Sequence, residues 1–112
     1  MGSNMLSRPI LITGGGRRIG LALAHHFLTQ QQPVILSYRT HYPAIDVMQR
    51  AGAVCIQADF STDEGIYTFA DAVRSHCSGL RAVIHNASGW LAETPGASLS
   101  HVLNAMMQIH VH

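Results

Sequence analysis

The sequence predicts an α/β fold: a doubly wound parallel sheet, represented by about four strands with flanking helices. Two observations predict it. Short apolar runs alternate with amphipathic helical stripes along the chain, with no break in composition. The first apolar run also leads through a glycine-rich turn directly into a helix, the strand–turn–helix unit from which such sheets are built. Strands separated by helices require parallel pairing with right-handed crossovers.

The elements follow in order. Ile10–Thr13 is the first strand. Arg18 to about Gln30 is a helix, with Ile19, Leu23 and Phe27 on one stripe and Gly20, Ala24 and Leu28 beside it. The small members of that face let the helix sit close to the sheet. Pro33 ends the connection, and Val34–Ser37 is the second strand. Pro43 to about Arg50 is a short helix, with proline suited to its first turn and Gly52 as its stop. Val54, Cys55 and Ile56 form the third strand. Ser61-Thr62-Asp63-Glu64 matches a capping box with serine at the cap. The helix it opens buries Ile66, Phe69, Ala70, Val73 and Cys77, and Gly79 closes it. Leu80–His85 is the fourth strand, Gly89 to Gly96 a loop, and Ser98 to the end a fourth helix. No cap or polar tail follows His112, so the chain is expected to be the N-terminal part of a larger protein, with one sheet face lacking its cover.

Composition narrows the function classes. At 112 residues the chain is one domain with a modest core, and an apolar fraction of 47% is ordinary for a globular protein. A net charge of +1 gives no sign of nucleic-acid binding. Arginine supplies all seven basic side chains, and lysine is absent. No apolar run reaches the roughly 20 residues of a membrane span, and no signal peptide is visible. Met1-Gly2-Ser3-Asn4 reads as an expression scar, and residues 1–8 together as scar and lead-in. Cys55 and Cys77 have no metal-ligand spacing and are expected to be buried, reduced thiols in a cytoplasmic protein. Eight histidines invite a metal reading, but none stands at i, i+4 spacing beside an acid, so no metal site is expected.

Chemistry concentrates at the strand ends. The turn Thr13-Gly14-Gly15-Gly16-Arg17-Arg18-Ile19-Gly20 lets a phosphate approach the backbone, and the helix behind it offers unpaired N–H groups. Arg17 and Arg18 could be solvated helix-start residues. Cations are disfavoured at a helix N-terminus, however, so two of them imply an anion to neutralise. Tyr38-Arg39-Thr40 follows the second strand with no acid at the strand end to hold a ribose 2′-hydroxyl. Arg39 can instead grip a 2′-phosphate with its planar fork, and Thr40 can donate a hydroxyl. The alternative is a surface arginine in a turn. Asp59-Phe60 ends the third strand and Asn86-Ala87-Ser88 the fourth, at the carboxyl edge where ligands gather.

These motifs resemble the short-chain dehydrogenase/reductase family. Its turn reads Thr-Gly-x-x-x-Gly-x-Gly, and the pteridine reductases within it place arginine where Arg18 stands. The resemblance continues through Tyr38-Arg39-Thr40, Ala58-Asp59-Phe60 and His85-Asn86-Ala87-Ser88. It implies a Rossmann-type NADP-binding portion over residues 9–112, corresponding to an N-terminal half. It further implies an NADPH-dependent oxidoreductase acting on a dihydropterin, with dihydrofolate a weaker candidate. The cofactor contacts would fall to Gly14, Arg17, Arg18, Ile19, Tyr38, Arg39, Thr40, Asp59, Phe60, Asn86, Ala87 and Ser88. Asp59 would accept from the adenine amino group, with Phe60 supplying its backbone; the other reading of Asp59 is a helix cap. Ser88 would reach both cofactor and pterin, and Trp90 would stack on the pterin, the bland reading being a tryptophan packed under a loop.

The family's catalytic serine and Tyr-x-x-x-Lys pair have no counterpart here, since there is no lysine, and His112 stands where the family carries an asparagine. No catalytic residue is therefore assigned within this chain. The competing readings are a non-catalytic nucleotide-binding module and a short-chain dehydrogenase acting on a carbonyl. The last helix carries Leu99, Val102, Leu103, Met106, Met107, Ile109 and Val111 around most of its circumference, which, with the family habit of pairing there, implies a homo-oligomer, a tetramer built through this helix.

Overall fold

In a computed structural model, described for residues 6–14 and 18–85 and with backbone only for Arg18 and His85, the chain forms four strands and three helices. These are β1 (Ile10–Thr13), α1 (Arg18–Thr29), β2 (Val34–Tyr38), α2 (Pro43–Arg50), β3 (Val54–Gln57), α3 (Asp63–Arg74) and β4 (Ala82–His85). The sheet order is β3-β2-β1-β4, and every pairing is parallel. The chain steps outward from β1 to β3, then returns across the sheet to set β4 on the other side of β1. The strand order therefore reverses between β1 and β4, the point at which doubly wound folds bind ligands beyond the carboxyl ends of their strands.

Strand alternation sends side chains to two cores. Leu11, Ile35 and the half-buried Val54, Ile56 and Val83 face α3, whose Ile66, Phe69, Ala70 and Val73 close that layer. Ile10, Ile12, Val34 and Leu36 face α1 and α2, meeting Ala24, Ile45 and Met48. Fully burying one such aliphatic or aromatic side chain stabilises the fold by about 1.5–3 kcal/mol. Both sheet faces thus carry a helix, contrary to the expectation of a bare face. Cover is incomplete at the two outer strands, where Val54, Cys55 and Ile56 of β3 and Ala82, Val83 and Ile84 of β4 are only half-buried.

Several boundaries differ from the sequence reading for identifiable reasons. α1 stops at Thr29 because Gln31 adopts a left-handed φ of 62° and its N–H turns back to Leu28, the work a glycine usually does. β2 and β3 each extend one residue further, because Tyr38 pairs with Gln57 and the Ala58 N–H donates to the Tyr38 carbonyl at 2.9 Å. β4 begins at Ala82 because its partner β1 begins at Ile10; Leu80 is fully buried ahead of it, and the Arg81 N–H donates to the Pro9 carbonyl just before β1. Gly52 does stop α2, at φ 113°. Gly79 does not close α3, which ends at Arg74 with Ser75 as its cap. Cys77 is buried just beyond the helix, where Leu6 bridges to it. Ile19, expected on the buried stripe of α1, is 65% exposed, because that stripe begins only where the helix meets the sheet at Gly20 and Ala24.

The cap of α3 is Thr62, not Ser61. The Thr62 hydroxyl accepts from the Gly65 N–H at 3.0 Å, while the Ser61 N–H and hydroxyl both donate to Asp59 Oδ1, at 3.0 and 2.6 Å. The capping box therefore fails by one residue, since Asp59 engages Ser61 first. Both cysteines are free, but Cys55 is only half-buried where burial had been expected. Desolvation, with a contribution from Asp46, still pushes its thiol up to about 11, so it stays protonated near neutral pH.

Candidate cofactor-binding site

Three loop starts converge at the carboxyl edge of the sheet. β1 runs into Gly14, whose φ of 71° turns the chain towards α1 at the end of a fully buried strand. Two hydroxyls anchor this corner. The Gly14 N–H donates to Ser37 Oγ at 2.9 Å, tying the turn to β2, and the Thr13 hydroxyl donates to the Ile84 carbonyl at 3.4 Å, tying it to β4. Among the described residues, Ser37 and Thr13 are the buried polar residues of the sheet, at 2% and 0% exposure, and each is placed to hold the turn still. Ser37 was not singled out from the sequence, although a serine inside the run Val34-Ile35-Leu36-Ser37-Tyr38 is a signal, because a buried hydroxyl needs a partner.

The helix that follows is electrostatically open to an anion. The first turns of α2 and α3 carry Asp46 and Asp63–Glu64, which answer the positive helix end with their own charge. The first turn of α1 carries no acid and begins with Arg18. Ile19 stands exposed beside it.

The β2 end carries Arg39 and Thr40, both exposed. The Tyr38 side chain packs against the core shared with α1 and α2, edge-on to His41 at 6.1 Å between ring centres, so Tyr38 belongs structurally to that core. His41 Nε2 lies 3.0 Å from Asp46 Oδ1 in the first turn of α2. On the other side, Gln57 Nε2 donates to the Arg39 carbonyl at 3.2 Å.

The β3 end carries Asp59 and Phe60. The Phe60 ring is buried and meets Phe69 edge-on at 5.1 Å, which leaves its backbone as the part facing the loop. Asp59 is exposed. Ser61, through its hydroxyl and then its N–H, holds the carboxyl below the usual carboxylate range, and the Arg39 cation adds to this. The carboxylate is therefore ionised at neutral pH and keeps acceptor capacity on Oδ2. A cavity of about 300 Å³ opens beside it, lined by Gln57, Asp59, Thr62, Glu64, Gly65 and Phe69 among others. Neither Gln57 nor Gly65 had been marked from the sequence.

The structure thus brings Gly14, the start of α1, Arg39, Thr40, Asp59 and Phe60 to one sheet edge, beside the switch point. Gly15, Gly16, Arg17, Asn86, Ala87, Ser88, Trp90, the 89–96 loop, the last helix and His112 lie outside the described residues, as does the Arg18 side chain. Among the described residues no group of three histidine, cysteine or acidic side chains is arranged to hold a metal ion, and no helix is long and apolar enough to cross a membrane.

The short chain dehydrogenase family model matches residues 8–112, nearly the whole chain. The chain belongs to that family. Two relatives named dihydromonapterin reductase are highly similar. The one from Klebsiella pneumoniae subsp. pneumoniae is 74% identical over 105 residues, covering 94% of this chain and 44% of the relative. The one from Citrobacter koseri is 67% identical over 112 residues, covering all of this chain and 46% of the relative. The chain therefore spans less than half the length of these relatives. Among solved structures, a Serratia marcescens short-chain dehydrogenase/reductase double mutant superposes with a TM-score of 0.65 at 18% identity, over 77% of this chain and 38% of that one. An NADH-dependent reductase solved with NAD gives 0.63 at 24% identity, over 78% and 38%. These likenesses establish the four-stranded parallel sheet with flanking helices as the short-chain dehydrogenase fold. Members of the family are oxidoreductases that use a nicotinamide cofactor.

Proposed function

We propose that this chain is the cofactor-binding half of an NADPH-dependent reductase that converts dihydromonapterin to tetrahydromonapterin, with dihydrofolate as a secondary substrate. The observation that carries the substrate is the 67–74% identity to relatives named dihydromonapterin reductase. The observation that supports NADPH is Arg39 with Thr40 at the end of β2, where no acid stands to bind a ribose 2′-hydroxyl. The left-handed Gly14 and the acid-free first turn of α1 fit a pyrophosphate between them.

When bound, the nicotinamide would supply a hydride to the carbon of a C=N bond of the reduced pterin ring, whose nitrogen would take a proton from water or from the remainder of the full-length protein. The residues of this chain bind and orient. Gly14 and the α1 terminus hold the pyrophosphate, Arg39 and Thr40 the 2′-phosphate, and Asp59 the adenine amino group. By the family resemblance, Asn86, Ala87 and Ser88 would serve the ribose, and Ser88 and Trp90 the pterin. Stacking on an aromatic ring adds about 0.5–1.5 kcal/mol beyond area burial, and alignment of the two rings is the larger contribution. The chain has no lysine, so the family's Tyr-x-x-x-Lys pair is not among its residues.

The test is dihydropterin-dependent oxidation of NADPH by the full-length protein, with a Trp90→Ala variant alongside. Wild-type turnover is expected, and the variant is expected to raise the pterin KM roughly two- to tenfold with a smaller change in the NADPH KM. Cofactor binding without hydride transfer to any pterin would leave only the nucleotide-binding module. Turnover of a ketone but no pterin would favour a carbonyl reductase.

The same reading includes a cytoplasmic enzyme that assembles as a symmetric tetramer through residues 98–112. Sedimentation of the full-length protein at micromolar concentration is expected to show the tetramer, and Met107→Asp to dissociate it. A monomer would overturn the assembly.

A further inference from the structure

The turn that carries Arg39 and Thr40 is held from both sides. On the α2 side, His41 meets Asp46 at 3.0 Å and lies edge-on to the Tyr38 ring. On the β3 side, Gln57 Nε2 reaches the Arg39 carbonyl at 3.2 Å, just past the last sheet hydrogen bond, in which the Ala58 N–H donates to the Tyr38 carbonyl at 2.9 Å. Gln57 ends β3 two residues before Asp59, and both line the same cavity. One side chain thus couples the loop that carries Arg39 to the strand that leads into Asp59.

We propose that Gln57 is a positioning residue for cofactor selectivity: by fixing the Arg39 backbone it holds the guanidinium ready for a 2′-phosphate. The inference rests on the NADPH reading above. An arginine side chain has considerable rotamer entropy to lose on binding. Anchoring its main chain beforehand removes the backbone share of the ordering that the ligand would otherwise impose. The amide matters chemically as well. A glutamine can donate to a carbonyl, whereas a glutamate at this position would only accept. It would be repelled by the Arg39 carbonyl, would draw the Arg39 guanidinium towards itself, and would oppose a 2′-phosphate by charge. The contact between His41 and Asp46 is exposed and contributes little energy by itself. Its role is to fix the far end of the same turn, which makes the Gln57 tie decisive at the near end.

The experiment compares kcat/KM for NADPH and NADH in the full-length enzyme, for wild type, Gln57→Ala, Gln57→Glu and Arg39→Ala, with thermal melts of each. Gln57→Ala is expected to lower the NADPH-over-NADH ratio about two- to tenfold, the value of one hydrogen bond, through KM rather than kcat. Gln57→Glu is expected to lower the ratio further. Folded Gln57 variants with an unaltered ratio, or with equal losses on both cofactors, would overturn the positioning role while leaving the NADPH reading intact, provided that wild type prefers NADPH and Arg39→Ala abolishes the preference. A wild-type enzyme with no such preference would overturn both.

Discussion

Replacing Arg39 by alanine is expected to raise the KM for NADPH about 10- to 100-fold while moving the KM for NADH less than about threefold. A charge-assisted hydrogen bond contributes about 1.5–3 kcal/mol, and each 1.4 kcal/mol is a factor of ten in affinity. Arg39 is exposed at the end of β2, with its carbonyl tied to Gln57 and its charge close enough to Asp59 to depress that carboxyl. Removing the cation therefore has a second consequence: Asp59 loses a stabilising charge, although Ser61 remains its main support. NADH lacks the 2′-phosphate and experiences only this smaller effect. Arg39→Lys is expected to fall between, since an ammonium keeps the charge but not the planar fork. Steady-state kinetics with both cofactors read the result. Equal losses for NADPH and NADH would show that Arg39 does not contact the 2′-phosphate.

The parts of this site legible in the sequence are those whose chemistry is local. A glycine at the end of an apolar run signals a positive φ, and Gly14 has one. The absence of an acid after β2 is a statement about three consecutive residues. What sequence alone misplaced depends on partners elsewhere in the chain. The capping-box spacing puts the cap of α3 at Ser61, but Asp59 engages Ser61 and Thr62 caps the helix instead. Leu80 looks like strand because it is apolar and buried, but β4 can begin only at Ala82, where its partner strand begins at Ile10. Ser37 and Gln57 act on Gly14 and Arg39, residues 23 and 18 positions away, which become neighbours only once the strands pair. Ile19 follows a helical stripe by spacing, yet that stripe extends past the edge of the sheet. The pattern is consistent: periodicity reports which face is apolar, and the sheet decides how much of that face is covered.

Gly65→Ala is expected to destabilise the protein by about 1–3 kcal/mol, although helix propensity by itself predicts a gain of about 1 kcal/mol. Gly65 lies in the first turn of α3, where its N–H caps onto Thr62. A Cβ there would run into the Asp59 carbonyl oxygen, with the Asp59 carbonyl carbon at 3.0 Å and Thr62 Oγ1 at 3.1 Å. The principal obstacle is backbone, which has no rotamer to change, so the helix start and the Asp59–Phe60 loop must separate. That separation reaches the core, because the Phe60 ring is buried against Phe69. It also reaches the site, because Asp59 sits on the displaced loop. A Tm lowered by several degrees and a raised NADPH KM are therefore expected together. Gly79 supplies the control. A Cβ added there meets nothing within 4 Å, so Gly79→Ala is expected to be neutral or to stabilise by up to about 1 kcal/mol. Thermal or denaturant unfolding of the two variants beside wild type decides the matter. A Gly65→Ala protein as stable as wild type would mean that α3 can shift away from Asp59 without cost, and that the close approach of helix and loop does not hold the adenine end of the site in place.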